Sequence, residues 1–325
     1  MKKKFIVWGY PIHTHTHSYV HAAVAKSAKS LGYETYWFDD KHHPASQDFD
    51  YSNSIFYTEG YAENEIPLLK DCVYFVHIAK NPAKYLSAGC RLIEIRYDVF
   101  GIDDANYRYT RDFSSEEKIS VAVNYLKKAS SKDLVIFDGD ECSYECVYAS
   151  WATDLLPDEI DLEKRFQTRE NQCHWIGTLG QSNIREFLPF AEECRKNGVS
   201  IVCHDPWSRP LSFEDTMELT RRSFLAPDIR GSGDNPLKTG TNHLKTGYVA
   251  CRAFKNISYG QLGLVNSERT HQYLGELSIL CKDTREMFHL GSQNMKNYDL
   301  IKQQMLFVKE HHTWQKRLQD ILKVL

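Results

Sequence analysis

Residues 5–38, FIVWGYPIHTHTHSYVHAAVAKSAKSLGYETYWF, decide the fold class of this chain. Phe5–Trp8 and Thr35–Phe38 are short apolar runs rich in aromatic and β-branched residues, which is typical of buried strands. Between them, apolar and small side chains recur at helical spacing over Tyr19–Leu31, and Gly32 suits the C-terminal cap of a helix. A strand–helix–strand unit of this length implies a parallel sheet whose functional loops lie at the carboxyl ends of its strands.

The alternation of strands and helices continues along the chain and restarts in its second half. The first half contains further predicted strands at Ser54–Tyr57, Val73–Ile78, Arg91–Tyr97 and Leu134–Phe137, and a helix at Glu116–Ala129. The second half contains predicted strands at His174–Ile176, Ser200–Cys203, Tyr248–Ala250, Leu262–Val265 and Leu277–Leu280, and helices at Ser182–Asn197, Phe213–Arg222, Thr284–Leu290 and Tyr298–Leu322. Two such series of about 160 residues each predict an α/β protein with two Rossmann-like domains facing across a cleft. We place the domains at 1–165 and 166–325, with a last helix that is free to cross back to the first domain.

The composition excludes several classes of protein. The chain has 325 residues, of which 42% are hydrophobic, enough for a core and too many for a disordered chain. Its 40 Lys and Arg residues are balanced by 43 Asp and Glu residues, and the net charge of −3 argues against a nucleic-acid binder. No apolar run approaches the roughly 20 residues of a transmembrane helix, and the N-terminal apolar run is too short for a signal peptide. We therefore expect a cytoplasmic protein whose nine scattered cysteines are reduced thiols.

Residues 247–267, GYVACRAFKNISYGQLGLVNS, are the most informative stretch for function. Arg252 and Lys255 are three residues apart at the start of a predicted helix that ends at Gly260, so they lie on one helix face. The backbone N–H groups of a helix N-terminus add to their attraction for an anion. The pattern indicates a cradle for a diphosphate, and a solvated basic turn is the alternative that the spacing alone leaves open.

The same stretch resembles a known family. The pattern R-x-F-K-x-x-x-x-G, followed by an apolar strand, looks like the donor-binding segment of GT-B glycosyltransferases, and most of all of their group-1-like, spore-maturation (CgeB-type) branch. The C-terminal run from His312 to Arg317, HTWQKR, is similar to the H-T-[YW]-x-x-R that closes the last helix of that branch. These matches span residues 174–325, whereas the N-terminal half is similar only in topology. The resemblance implies a GT-B-like fold, with a nucleotide-sugar held by the C-terminal domain and an acceptor held by the N-terminal domain.

The resemblance also implies which residues contact the donor. It makes Arg252 and Lys255 phosphate contacts, and it makes the turn at Tyr259 and Gly260 a place where the backbone closely approaches the ligand. Many GT-B enzymes have a Glu that binds the ribose at the position of Lys255, so this chain departs from the pattern there. Further candidate donor contacts are the glycine-containing loop with Gly177, Thr178 and Gly180, the strand ends with His204, Trp207 and Ser267, and Arg230.

The first predicted loop is rich in histidine, with His13, His15 and His17 alternating with threonines and His21 following. Glycosyl transfer removes a proton from the acceptor hydroxyl, and histidine is suited to that role near neutral pH. We predict His13 as the first and His17 as the second candidate base, with His15 in the acceptor site. A zinc site lacks a fourth ligand at recognisable spacing, and an ordinary polar loop is the remaining alternative.

Asp138, Asp140 and Glu141 follow a predicted strand directly. One interpretation is an acidic turn that lines the cleft, with Asp138 as an alternative base and Asp140 and Glu141 as acceptor contacts. A second is the metal-binding DxD of GT-A glycosyltransferases, and a third is the nucleophile and acid of a Mg²⁺-dependent phosphohydrolase. The phosphohydrolase pattern expects Thr or Val where this chain has Cys142, and a solvated strand-end turn is the alternative without chemistry.

The sequence therefore predicts a glycosyltransferase that uses a UDP- or GDP-sugar and transfers the sugar to a hydroxyl of a glycan or small molecule. No cofactor is expected, and a divalent metal is expected to be dispensable because Arg252, Lys255 and helix N-termini would neutralise the leaving diphosphate. Neither nucleic acid nor a transmembrane segment is expected. The main rival is the phosphohydrolase built on Asp138 and Asp140, and a third hypothesis is a non-catalytic module that binds sugar nucleotides or glycans.

Overall fold

The structure is a computed structural model that describes residues 3–13, 16–39, 48–96, 134–138, 142–163, 169–180, 183–205, 208–233 and 243–325. It divides into two compact units. Unit 1 consists of Met1–Ser150 together with Trp314–Leu325, and unit 2 consists of Trp151–Thr313. The chain thus leaves unit 1 after Ser150 and returns to it at Trp314.

The described residues form eleven strands and ten α-helices. The strands are β1 (Lys4–Trp8), β2 (Glu34–Phe38), β3 (Ser54–Glu59), β4 (Val73–His77), β5 (Arg91–Arg96), β6 (Leu134–Asp138), β7 (Ser143–Tyr148), β8 (Gln172–Ile176), β9 (Ser200–His204), β10 (Leu264–Val265) and β11 (Ile279–Leu280). The helices are α1 (Thr16–Ser30), α2 (Pro82–Ser87), α3 (Ile184–Lys196), α4 (Phe213–Arg222), α5 (His243–Thr246), α6 (Cys251–Ser258), α7 (Glu268–Tyr273), α8 (Thr284–Asn294), α9 (Tyr298–His311) and α10 (Trp314–Ile321).

The strands of unit 1 that the structure describes form one sheet in the order β2-β1-β3-β4-β5-β7-β6. Six of them run parallel, and β6 runs antiparallel to β7 at the edge. The predicted strand–helix–strand opening is confirmed, because β1 and β2 pair in parallel and α1 lies between them in the chain. Phe5, Ile6 and Val7 are fully buried, so β1 is covered on both faces, which explains its unbroken apolar run.

Strand β7 has no counterpart among the predicted strands. Its sequence, SYECVY, carries a charged residue at Glu145. That carboxylate accepts two hydrogen bonds from Arg91 on β5, from Nε at 2.7 Å and from Nη2 at 3.0 Å. The partner that makes the charge compatible with the sheet is 54 residues away in the sequence, so local patterning could not reveal it. The predicted helix at Glu116–Ala129 lies outside the described residues.

Unit 2 pairs β8 with β9 and β10 with β11, both in parallel, and Asp228 forms a bridge with Val265. Helix α3 packs against α8, and α6 packs against α9. Their apolar faces pack into a core whose members include Trp175, Phe187, Phe190, Phe254, Met287, Phe288, Ile301 and Met305. This core explains the regular apolar spacing of the second half of the sequence.

Residues 248–250 are not a strand, so that prediction was wrong. Gly247 has a left-handed φ of 62°, and Ala250 is already the N-cap of α6. Val249 between them is fully buried in the core of unit 2. The apolar run therefore reflects burial of a short connection rather than strand pairing.

The predicted single helix Tyr298–Leu322 is two helices, α9 and α10. Helix α9 ends at His311, and its C-cap residue His312 has a φ of −130°, which is not helical. The carbonyl oxygen of His312 accepts a hydrogen bond of 3.0 Å from the backbone N–H of Thr153, and Thr313 forms a parallel bridge with Thr153. Pairing with this extended segment replaces the helical bonds at the break.

All nine cysteines lie within the described residues, and none of them forms a disulfide bond there. Cys173 and Cys194 are in contact in the core of unit 2, with their Sγ atoms 4.0 Å apart. None of the helices that the structure describes is both long enough and apolar enough to cross a bilayer.

Candidate functional site

Arg252 lies in the first turn of α6, where the sequence placed it. Its guanidinium carbon is 3.6 Å from the ring centroid of Trp175 on β8, and its Nη2 donates a hydrogen bond of 2.8 Å to the carbonyl of Ile176. Trp175 is itself held in the core, with its ring 4.7 Å from that of Phe187. A cation–π contact and a hydrogen bond therefore fix Arg252 at the carboxyl end of β8.

The loop that follows β8 is shaped around this arginine. Gly177 has a φ of +128°, and a Cβ atom at this position would lie 2.4 Å from Nη2 of Arg252. The backbone N–H of Gly177 donates to the carbonyl of His204, and that of Gly180 donates to the side chain of Asn183 just before α3, both at 3.1 Å. The predicted phosphate-facing loop is thus joined to Arg252, and Thr178 in the same loop is exposed.

Arg230 is a second buried arginine of unit 2. Its guanidinium pairs with the carboxylate of Asp228, and the two side chains are only 8% and 1% exposed. Asn266 holds the backbone of Arg230 from both sides, since its Oδ1 accepts from the N–H at 2.7 Å and its Nδ2 donates to the carbonyl at 2.8 Å. Both the side chain and the main chain of Arg230 are therefore fixed.

Arg230, Arg252 and Asp228 form what we name the arginine cluster. Burial and then the positive charge of Arg230 lower the pKa of Arg252 to about 10, while Asp228 opposes this shift. Burial and the charge of Arg230 also lower the pKa of His243 to about 4. Within the described part of the chain, the buried Nη1 of Arg252 and Nε of Arg230 have no hydrogen-bond partner. Among the described residues, Asp228 is the carboxylate whose charge acts on both guanidinium ions, and a bound anion would add negative charge beside them.

Lys255 lies one turn further along α6 and has a carboxylate partner. Its Nζ is 3.0 Å from Oδ2 of Asp154, and the hydroxyl of Tyr259 donates to Oδ1 of the same carboxylate at 2.6 Å. Burial, and then the Asp154 charge, raise the pKa of Tyr259 well above its usual range. Asp154 was not predicted from the sequence, because nothing in its local pattern distinguishes it from a surface carboxylate.

Gly260 and Ser267, two further residues predicted to contact the sugar donor, lie at helix ends near α6. Gly260 adopts a φ of 99° where the helix ends, and its N–H donates to the carbonyl of Ile257 at 2.9 Å. Ser267 caps α7, because its hydroxyl accepts from the backbone N–H of Thr270 at 3.3 Å. Both residues are buried, and each has a local structural role in the protein as described.

His204, at the carboxyl end of β9, is part of a chain of polar contacts. Its Nε2 is 3.1 Å from Nδ1 of His174, and Nε2 of His174 is 3.2 Å from Oε2 of Glu170. The other carboxylate oxygen of Glu170 accepts from Arg222. Burial lowers the pKa of both imidazoles. The side chain of Trp207, predicted beside His204, lies outside the described residues.

In unit 1, the predicted candidate bases lie on either side of the start of α1. His13 has a left-handed φ of 68°, and its Nδ1 is 3.1 Å from the hydroxyl of Tyr19. His17 is 8% exposed, and its ring lies 6.0 Å from that of His77. His15 is outside the described residues. Of the two candidates that the structure describes, His13 is therefore the more accessible.

His77, at the end of β4, is a buried group that the sequence analysis did not select. It shares a hydrogen bond with the hydroxyl of Tyr57, and burial followed by the charge of His21 lowers its pKa to about 3. Glu59, at the end of β3, is also fully buried and accepts from the hydroxyl of Tyr10 at 2.8 Å. The signal for His77 was present, because a histidine interrupts an otherwise apolar strand. At neutral pH this imidazole is uncharged.

Most of the acidic turn predicted after β6 lies outside the residues that the structure describes. The backbone of Asp138 ends β6 opposite Ser143, but its side chain lies outside the described residues, as do Asp140 and Glu141. Among the His, Cys, Asp and Glu side chains that are described, no group of three or more is arranged to hold a metal ion. The phosphohydrolase and acceptor interpretations of this turn stay predictions.

The C-terminal HTWQKR motif divides between the two units. In unit 2, the ring of His312 stacks on Phe254 of α6, with the centroids 4.6 Å apart. In unit 1, Arg317 donates from Nε to the carbonyl of Ser150 at 3.2 Å and from Nη2 to its hydroxyl at 3.0 Å. The motif residues thus pack within each unit at the point where the chain passes from one to the other.

No protein-family model matches this chain, and no curated protein matches it. Among solved structures, it is similar to a UDP-forming α,α-trehalose-phosphate synthase from Burkholderia vietnamiensis, with a TM-score of 0.54, 9% identity and coverage of 100% of this chain and 99% of that chain. It is also similar to the corresponding synthase from Burkholderia xenovorans in complex with glucose-6-phosphate, with a TM-score of 0.50, 12% identity and coverage of 79% and 74%. Both are GT-B glycosyltransferases, and the narrower CgeB-type branch is not confirmed. At these identities the likeness concerns the fold, and the chain has a mixed α/β fold similar to theirs.

Proposed function

We propose that this protein is a glycosyltransferase that moves a sugar from a UDP- or GDP-linked donor to a hydroxyl of a glycan or small molecule. The bond between the anomeric carbon and the diphosphate breaks, the acceptor oxygen bonds to that carbon, and a base takes up the acceptor proton. The fold supports a transferase of this class. So does the description of both similar synthases as UDP-forming, one of them bound to a sugar phosphate.

The arginine cluster is the observation that carries the proposal. As the glycosidic bond breaks, negative charge grows on the leaving diphosphate, and fixed cations stabilise that charge without reorganising. Arg252 is fixed by Trp175 and Ile176, and Arg230 is fixed by Asp228 and Asn266. Each guanidinium keeps a buried nitrogen with no hydrogen-bond partner among the described residues. These nitrogens would donate to the phosphate oxygens.

We propose that His13 or His17, in the N-terminal domain, removes the proton from the acceptor hydroxyl. His77 is a poor candidate, because a pKa of about 3 makes its imidazole a weak base at neutral pH. His15, Asp138, Asp140 and Glu141 stay predicted acceptor or base residues. Lys255 could contact a phosphate only by leaving Asp154.

We propose further that the reaction needs no divalent metal, since the two arginines supply the positive charge that a metal would bring. A thermal-shift titration with UDP, GDP, ADP and CMP, each with Mg²⁺ and with EDTA, tests this. Ligand at about 100 times its Kd stabilises a protein by about 2.7 kcal/mol, so nucleotide at about 1 mM reveals a site whose Kd is about 10 μM. We expect UDP or GDP to raise the melting temperature equally with Mg²⁺ and with EDTA.

Two variants make the titration specific to the arginine cluster. The double variant Arg230→Ala/Arg252→Ala should lose the nucleotide shift, and Arg195→Ala, on the exposed side of α3, should keep it. A shift that vanishes with EDTA would contradict metal independence. No shift with any nucleotide, together with a shift for Mg²⁺ plus phosphate, would favour the phosphohydrolase built on Asp138.

A further inference from the structure

We propose that Glu170, His174 and His204 form a relay that fixes which ring nitrogen of His204 carries its proton. His204 then presents a hydrogen-bond acceptor to a hydroxyl or N–H group of the bound nucleotide-sugar. This inference rests on the proposed function and makes it more specific. It assigns His204 to recognition of the nucleoside or sugar and leaves the diphosphate to the arginine cluster.

The first step of the relay is the contact between Glu170 and His174. An ionised carboxylate can only accept, so Nε2 of His174, 3.2 Å from Oε2 of Glu170, must carry a hydrogen. The side chain of His174 is only 5% exposed, which leaves little room for water to replace this partner. Arg222 binds the other oxygen of Glu170 and favours the ionised form of that carboxylate.

The second step passes this constraint to His204. Burial lowers the pKa of His174 and His204, and each ring therefore favours its neutral form. A neutral His174 with a hydrogen on Nε2 has a bare Nδ1, which can only accept. Its contact of 3.1 Å with Nε2 of His204 then requires the hydrogen to lie on His204.

The third step identifies the atom left for a ligand. With its hydrogen on Nε2, the ring of His204 has a lone pair on Nδ1, and no contact of the described residues uses that atom. His204 is half-buried at the carboxyl end of β9, and its carbonyl accepts from Gly177 in the loop that touches Arg252. An ionised phosphate has no hydrogen to donate to Nδ1. A hydroxyl or N–H group of the nucleoside or the sugar does.

Glu170→Gln is the variant that breaks the relay while keeping its shape. An amide can donate as well as accept, so the variant also permits the reversed order, in which Nδ1 of His204 carries the hydrogen. We expect ¹⁵N imidazole NMR of the wild-type protein to show neutral His174 and His204 rings protonated on Nε2, and the variant to show a mixture. By calorimetry, its affinity for UDP, GDP or ADP should fall about twofold, because about half of the His204 rings then have no lone pair on Nδ1. Its affinity for pyrophosphate should stay unchanged.

Matched variants separate the relay from packing. Arg222→Gln removes the other partner of Glu170 and should keep both the wild-type tautomers and the wild-type affinity. His204→Asn places an oxygen near the position of Nδ1 and should retain most of the affinity. His204→Gln removes the acceptor and should weaken nucleotide binding about tenfold, the effect of one hydrogen bond.

Several results would overturn the relay. Protonation of His204 on Nδ1 in the wild-type protein would do so, as would unchanged nucleotide affinity in Glu170→Gln. An equal loss for pyrophosphate would also do so, because it would show a general change in charge or packing. Each of these leaves the proposed function intact. Failure of the wild-type protein to bind any nucleotide would overturn the proposed function and the relay together.

Discussion

Helix α6 carries two cations three residues apart, and their surroundings differ. Near Arg252, the carboxylate of Asp228 pairs with Arg230 and attracts Arg252 through its charge, and within the described residues one buried nitrogen of each guanidinium has no hydrogen-bond partner. At Lys255, one ammonium ion meets the carboxylate of Asp154, which also binds the hydroxyl of Tyr259. From the sequence the two cations are equivalent, because helical spacing indicates which face of the helix they share and not which residues contact that face.

This difference in charge compensation indicates which end of α6 is the better candidate for a ligand site. A buried cation with its own carboxylate is already compensated, and its removal costs stability because the partner is left uncompensated. A buried group of charges with a net positive sum is compensated only when an anion binds. The Lys255 end of α6 should therefore matter for stability, and the Arg252 end should matter for binding.

The largest expected effect is on stability, at Asp154. Asp154→Ala leaves Lys255 without its carboxylate and Tyr259 without its acceptor, so the free energy of unfolding should fall by about 3 kcal/mol. Urea unfolding followed by tryptophan fluorescence measures this change. Asp158→Ala, at an exposed position, is the control and should change stability by less than about 0.5 kcal/mol. A loss of stability no larger than that of the control would break the comparison.

The next effect is on nucleotide affinity. Arg252→Ala removes charge-assisted hydrogen bonds to the diphosphate and should weaken binding of UDP or GDP about 100-fold. Lys255→Met should weaken it by less than about threefold, because Lys255 is engaged by Asp154. Calorimetry on both variants gives the two dissociation constants. Equal losses would mean that Lys255 leaves Asp154 to bind a phosphate, as the sequence resemblance implied.

The fold was predictable where one local pattern determines one element. Phe5–Trp8 is apolar throughout and forms a strand that is buried on both faces. The helix predicted over Phe213–Arg222 has these same bounds in the structure, where it is α4. Prediction failed where a distant residue decides. Val249 is apolar because the core of unit 2 surrounds it, and the helix break at His312 depends on pairing with Thr153.

For the candidate site, the positions of the cations could be predicted from local sequence, and their long-range partners could not. The residue type and position of Arg252 indicated an anion site, and Gly177 was placed in a loop that the structure joins to Arg252. The carboxylate that neutralises Lys255 is Asp154, about a hundred residues earlier in the chain, and no local pattern links the two. Charge compensation is a property of the folded chain, so sequence could nominate the cations but not separate the compensated one from the other.

A smaller effect tests how the loop after β8 holds Arg252. Gly177→Ala places a methyl group 2.4 Å from Nη2 of Arg252 and in a backbone conformation that disfavours a side chain, so the guanidinium must move. We expect nucleotide affinity to fall about tenfold, since misplaced charges bind less well. Gly180→Ala is the matched control in the same loop, because its methyl group would meet its nearest neighbour at 3.7 Å and should change little. Equal effects of the two substitutions would show that the loop, and not Arg252, sets the affinity.

The smallest effect concerns the one carboxylate of the arginine cluster. Asp228→Asn removes a negative charge that competes with the diphosphate for Arg230, and it leaves the two guanidinium ions to repel each other until an anion binds. Affinity for UDP or GDP should therefore rise about threefold, and it should depend more steeply on salt than in the wild-type protein. Calorimetry at two salt concentrations measures both quantities, with Asp158→Asn as the exposed control. If affinity falls instead, Asp228 acts mainly by positioning Arg230, and the ligand then depends on the orientation of that guanidinium more than on the surplus of positive charge.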